Sequence, residues 1–323
     1  MFYTINSPAF LRAEYYPGEE TGVIIIIAAS GVSLVAAIFF FISLAVIRFR
    51  AGNVSTADTL FMQSHLGIYF VSFVIAHTII AVGSFLNIKW VADHGITSDD
   101  PLCITQGIMK NVGNVATALW NLVISLHIFN LLFLRHTPQR LLSTLVTLSI
   151  WCAVGAISIA GPAVIQKQEF GPYFTIAGLQ IFYVISCHRP LILHAFLGYW
   201  CWISDKYGGA RIGLEFFWMF FSAFTTLLLH TLTYFRLRGN IIVEGWRVRF
   251  RWISGAKAWK LQEVRDHVDT YMTTVALQMI WLPVSYGIFF MPIAISRFVQ
   301  SSSRSVPFPG WYSRTRCLCC QDS

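Results

Sequence analysis

The chemistry open to this chain is concentrated in one regularly spaced set of polar side chains. Gln106, Lys110, Asn114, Thr117, Asn121 and Ser125 recur every three or four residues. At 3.6 residues per turn they fall within about 100° of arc on a single helix. Amides, hydroxyls and one primary amine can bind by hydrogen bonding and charge. Two readings stay open for the stripe. It lines a water-filled cavity with Lys110 near the outer mouth, or it ties helices together while Lys110 reaches for the interface. The opposite arc is Ile108, Val112, Val115, Leu119, Leu122 and Leu126.

Two further pairs are spaced for chemistry. Arg211 and Glu215 are four residues apart, the spacing of an ion pair on one helical face or of two contacts to a ligand. His77 and His127 lie inside apolar runs, where they would either ligate a haem or hydrogen-bond within a bundle. There is no nucleophile motif, His-Glu-x-x-His signature or phosphate loop, and the seven cysteines lack metal-ligand spacing. Neither an enzyme nor a cofactor is expected.

The elements that must position these residues are membrane helices. Hydrophobic residues make up 56% of the 323 and charged residues 12%, with a mean hydropathy of +0.62. A soluble domain carries about 25% charge, and these apolar residues gather in runs near the roughly 20 needed to span a bilayer. The runs are 22–47, 60–86, 102–134, 141–165, 212–235 and 270–295. They predict an all-α, polytopic transmembrane bundle with six clear spans. A seventh apolar stretch, about 173–198, holds Arg189, Pro190 and His194, so it reads as a non-spanning insertion in an outside loop. The sixth span contains Pro283 and Pro292, which predict kinks.

Orientation follows from the loops. The acidic Glu14, Glu19 and Glu20 precede the first span, whereas Arg48 and Arg50 follow it, so the N-terminus lies outside and the first span is its own insertion signal. Arg135 and Arg140 mark an inside turn. Arg247, Arg249, Arg251, Lys257 and Lys260 crowd the strongest inside loop. The net charge of +8 is therefore topological, and nucleic acid is not a partner, whereas membrane lipid is. Residues 1–21 form an extracellular N-terminus, 22–296 the bundle and 297–323 a short tail. Cys103 and Cys201 both fall outside, where oxidising conditions favour a disulfide over two free thiols.

Cys103 with Gln106-Gly107 and Trp120, then Trp200-Cys201-Trp202-Ile203-Ser204, Tyr207, Arg211-Ile212, Glu215 and Trp218-Met219, form a pattern. With Leu282-Pro283, Tyr286 and Met291-Pro292-Ile293-Ala294, it resembles the cyclic-AMP-receptor-like G-protein-coupled receptors of slime moulds and fungi. The similarity runs from about residue 22 to 297, and Trp-Cys-Trp-Ile is its most specific element.

The resemblance implies a heptahelical plasma-membrane receptor with a Cys103–Cys201 bridge, coupled to a heterotrimeric G protein through its inner loops. Two departures stand out: the insertion near 177–197, and a short tail where the family has its seventh span. On this reading a small extracellular ligand would meet Gln106, Lys110, Asn114, Thr117, Asn121, Trp202 and Glu215. The G protein would meet Arg135, Arg140, Arg247, Arg249, Arg251, Lys257 and Lys260. A transporter or channel using the stripe as its pathway is the alternative.

Overall fold

A computed structural model describes residues 12–15, 19–50, 65–98, 100–134, 140–177, 182–186, 189–193, 200–237, 240–244, 247–250 and 288. Helix α1 spans Glu19–Arg50, α2 His65–Phe85 and the short α3 Asn87–Ala92, with α4 over Pro101–Phe129 and α5 over Arg140–Ala160. Single π-helical turns extend α4 through Asn130–Leu134 and α5 through Gly161–Ile165. A helical turn at Gly208–Arg211 and a π turn at Ile212–Phe216 lead into α6, Phe217–Leu237.

Five of the resulting stretches are long and apolar enough to cross a membrane: Glu20–Phe49, Leu66–Ala92, Pro101–Leu134, Leu141–Ile165 and Gly208–Arg236. The shortest has 25 residues, about 37 Å at 1.5 Å per residue, against a hydrocarbon core of roughly 30 Å. They match the first five predicted spans. The sixth, 270–295, with Pro283 and Pro292, lies outside the described residues, as does the 297–323 tail.

The helices divide between lipid-facing and central roles. Only 11% of the apolar window of α1 is buried, against 56% for the stretch containing α4. Helix α4 packs on α2, α5 and α6 and against two outer strands, so it is the axis of the bundle. Its start is well specified. Asp100 caps it by accepting from the Leu102 amide at 2.8 Å, with Pro101 in the first turn, where its missing N–H costs nothing. Gly113 allows the close approach to α2, since a Cβ there would stand 2.4 Å from Ile80 Cγ1 and 3.1 Å from its amide nitrogen.

The described residues are mostly helical, as expected, with eight short strands in four antiparallel pairs added among them, one before α1 and the rest in connections or after α6. Strand β1 (Arg12–Glu14) pairs with β2 (Gly95–Thr97), bringing the N-terminal segment to the α3–α4 connection. Strand β3 (Phe174–Ala177) pairs with β6 (Trp200–Ile203), and β4 (Phe182–Ser186) with β5 (Arg189–Leu193). The stretch near 173–198 therefore leaves and returns at one end of the bundle. Aromatic and β-branched residues, dense in Trp200-Cys201-Trp202-Ile203, suit a pleated half-buried surface and override a helical reading. At the other end, β7 (Ile241–Glu244) pairs with β8 (Arg247–Phe250) after α6.

The apolar packing follows this plan. Tyr69 and Phe73 on α2 meet Val115, Trp120 and Ile124 on α4 and Val154 on α5. A second cluster joins Tyr173, Phe174, Trp202, Ile203 and Tyr207 to Phe216 and Met219. That cluster seats the β3–β6 ribbon on the bundle.

Candidate functional site

The site is built where strand β6 crosses the N-terminal end of α4. Cys201 is disulfide-bonded to Cys103, and both are wholly buried beside Trp90 and Ile96. One turn along α4, Gln106 takes up the polar groups around the bridge. Its Oε1 accepts from the Cys201 amide at 2.8 Å and from Trp90 Nε1 at 3.2 Å. Its Nε2 donates to Gly83 O at 2.9 Å and to Asn87 Oδ1 at 2.6 Å. A fully buried carboxamide with both ends satisfied fixes strand, helix and α3 in one register.

The next residue along the strand reaches deeper. Trp202 Nε1 donates to Glu215 Oε2 at 2.7 Å. Asn111 Nδ2 donates to the same oxygen at 3.0 Å, and Asn114 Nδ2 to Oε1 at 2.7 Å. Glu215 is 1% exposed, so a carboxylate is held inside the bundle by three neutral N–H donors. An all-donor shell matches an ionised carboxylate, which only accepts.

Arg211 does not supply the direct pairing that its spacing suggests. Its guanidinium donates to Ile203 O and lies over the Trp202 ring, 4.6 Å from the centroid. The indole thus stands between cation and anion, stacked on one and bonded to the other. A π turn at Ile212–Phe216 lies between the two residues.

Lys110 is also buried, with Ser84 and Trp200 among its partners. Its Nζ donates to Ser84 Oγ at 2.7 Å and sits 4.8 Å from the Trp200 ring centroid. Lower on the stripe the partners are on α6. Asn121 Nδ2 lies 3.2 Å from Thr226 Oγ1 and 3.4 Å from Ser222 Oγ, and Ser222 donates to Ala118 O at 2.6 Å. His230 Nε2 meets Ser125 Oγ at 3.3 Å. Thr117 is fully buried and its hydroxyl has no partner among the described residues.

The stripe therefore divides by direction. Gln106 and Lys110 turn to α2 and α3, Asn114 to Glu215, and Asn121 and Ser125 to α6. The opposite arc is no simple lipid face, since Val115 and Leu119 are buried while Ile108 and Leu126 are exposed. A central helix has neighbours on most sides. His77 and His127 lie at different depths: His77 packs edge-on to Phe73, and His127 to Tyr69.

The outer ribbon is anchored independently. The Tyr207 hydroxyl donates to Gly171 O at 2.8 Å, across the connection that carries Tyr173. Burial and then the nearby Glu215 charge push the Tyr173 phenol up to about 12, so it remains protonated.

At the opposite end of the bundle, Arg236 of α6 stacks on Phe133 in the π turn after α4, 5.0 Å from its centroid. Arg247 and Arg249 belong to β8, opposite Glu244 and Ile242, and Arg249 is exposed. Arg140 opens α5. Arg135, Arg251, Lys257 and Lys260 fall outside the described residues.

Several members of the site were not singled out by the stripe. Asn111 lies off its arc, yet its i,i+3 spacing to Asn114 is the signal that both can reach one acceptor. Asn87 and Trp90 lie one turn apart on α3, a helix too short for periodicity to mark. Ser84 and Ser222 look like ordinary membrane-helix serines until their partners are known.

Comparison of the chain with protein-family models and with curated proteins returns no match.

Proposed function

We propose that this chain is a G-protein-coupled receptor that senses a small extracellular ligand and signals to a heterotrimeric G protein. The observation that carries the reading is the buried link from β6 to the bundle: Cys201 to Cys103 on α4, and Trp202 to Glu215 ahead of α6. An outer strand tied to two transmembrane helices gives a ligand leverage on both. The same two helices touch again at the inner end through Phe133 and Arg236. A ligand that binds one arrangement of the α4–α6 pair more tightly would shift the population toward it. The basic inner loop would then meet the G protein, and the resemblance in the Trp200–Ser204 segment supports that assignment.

The test is nucleotide exchange on heterotrimeric G proteins by the full chain in lipid vesicles. Sugars, cyclic nucleotides, lipids and peptides would be added from the outer side. Exchange stimulated by one class supports the receptor. A transporter is the second reading, favoured by the buried Glu215, because a carboxylate within a span is a common proton or cation site. Accumulation of a labelled solute or protons in the same vesicles, without nucleotide exchange, would favour it.

A further inference from the structure

A cleft between α1 and α2 is not used by the receptor reading. It is an open cleft of about 650 Å³, within the roughly 300–1,000 Å³ of small-molecule sites. Small side chains open it, with Ala29, Ala36 and Ala37 on α1 and Ala81 on α2. Its α2 wall runs from Val74 to Ser84, about 15 Å at 1.5 Å per residue. Helix α1 is largely exposed, so the cleft can be entered from the bilayer.

The polar groups of the wall are not equivalent. Ser30 donates to Ile26 O at 2.7 Å, Ser33 to Ala29 O at 3.0 Å and Thr78 to Val74 O at 2.8 Å. Those hydroxyl protons are committed to their own helices. Ser84 differs. Its Oγ accepts from Lys110 Nζ at 2.7 Å, and no acceptor among the described residues takes its O–H. A hydroxyl whose lone pair is held by a buried ammonium is a polarised donor, well matched to an anion. Ser84 is next to the last residue of α2, at the end facing the outer interface. The cleft is thus a largely apolar shaft, with the His77 imidazole partway along its α2 wall and, at its Ser84 end, a hydroxyl donor with a positive charge behind it.

We propose that this cleft binds a single-chain anionic lipid from the bilayer, with its carboxylate head at Ser84 and its tail between α1 and α2. The complementarity is one of charge at the head and of apolar shape along the tail. A zwitterionic two-chain lipid has neither the size nor the net charge for it. Binding of this kind does not depend on G-protein coupling and is measured without it.

The experiment is photolabelling of the full chain in phosphatidylcholine nanodiscs with diazirine-bearing palmitate, followed by peptide mapping. Label should fall on 26–40 and 74–84 and be competed by unlabelled palmitate. Ala36→Phe, which fills the shaft, should abolish it. Lys110→Met should lower it about tenfold, the scale of one charge-assisted hydrogen bond. Ser84→Ala, a milder change, should also lower it and serves where Lys110→Met does not fold. Recovery of the Cys103–Cys201 bridge from each variant checks the fold. Equal labelling by diazirine phosphatidylcholine, or labelling indifferent to both head-group variants, would reduce the site to ordinary boundary lipid and overturn the proposal. Absence of label from both segments would also overturn it, and would mean that another part of this chain or a second copy covers the cleft.

Discussion

Trp202 donates its indole N–H to Glu215 at 2.7 Å while the opposite requirement of the ring, its attraction for a cation, is met by Arg211. One side chain from strand β6 therefore mediates between a buried guanidinium and a buried carboxyl group. The separation of roles can be tested. Glu215→Gln turns an all-acceptor group into one that also donates, so either Asn114 loses its acceptor or Asn111 and Trp202 both lose theirs. It should destabilise the folded chain by about 2 kcal/mol. Trp202→Phe keeps a ring beneath Arg211 but removes the donor, and should cost about 1 kcal/mol. Thermal loss of the monodisperse species in detergent ranks the two. Equal stability of Glu215→Gln and the parent would mean that the network carries little.

The disulfide closes a loop between residues 98 apart in sequence, so much of its effect is expected to be on the unfolded chain. Cys201→Ser should lower stability by up to about 4–5 kcal/mol on the loop-entropy model. It should also release Gln106 from the β6 backbone. Non-reducing peptide mapping of the parent should recover Cys103 joined to Cys201. Faster exchange of the β6 amides in Cys201→Ser, with α4 still protected, would localise the effect.

Glycine at 113 is a steric requirement of the α2–α4 contact. A methyl group there meets both the Ile80 side chain and its backbone nitrogen, and the backbone cannot step aside. Gly113→Ala should therefore destabilise by about 1–3 kcal/mol despite the better helix propensity of alanine. Gly155, which has open space around a Cβ, provides the control. Gly155→Ala should be neutral or stabilising in the same assay.

The cap of α4 makes a pH prediction. The Lys89 hydrogen bond and then the Leu102 amide hold the Asp100 carboxyl below its ordinary 3.8. Its folded pKa is depressed, so its contribution is full above the unfolded value and is lost as pH falls through the folded one. Asp100→Ala should cost about 1 kcal/mol at neutral pH and less once the parent carboxyl is protonated, when only a neutral acceptor is lost. Asp100→Asn should retain most of the cap, because the exposed pair with Lys89 is worth under about 1 kcal/mol. Denaturation across an acid series tests both variants.

The inner loop separates signalling from topology. Arg247, Arg249 and Arg251 neutralised together should reduce nucleotide exchange at unchanged surface expression. If they act only by binding anionic lipid, at about 1 kcal/mol each, exchange would stay normal in correctly inserted protein. A single cysteine at position 255 should resist an impermeant thiol reagent in intact cells. Strong labelling there would reverse the predicted orientation.

Sequence alone determined that the chain forms membrane helices, because apolar runs of this length admit few other fates. It also located the first five spans, marked the polar face of α4 and named Cys103 and Cys201 as candidates for pairing. It did not foresee the strands, whose aromatic and β-branched residues serve a helix or a ribbon equally until a partner strand is known. Nor did spacing reveal how the stripe is used. Gln106, Lys110, Asn114 and Asn121 share one arc, yet they bond to different neighbours because α4 is surrounded by α2, α5, α6 and β6. The Arg211–Glu215 spacing suggested a direct pair. Trp202 arriving from β6 bonds to Glu215 and lies under Arg211 instead, and only tertiary structure brings a strand residue to both.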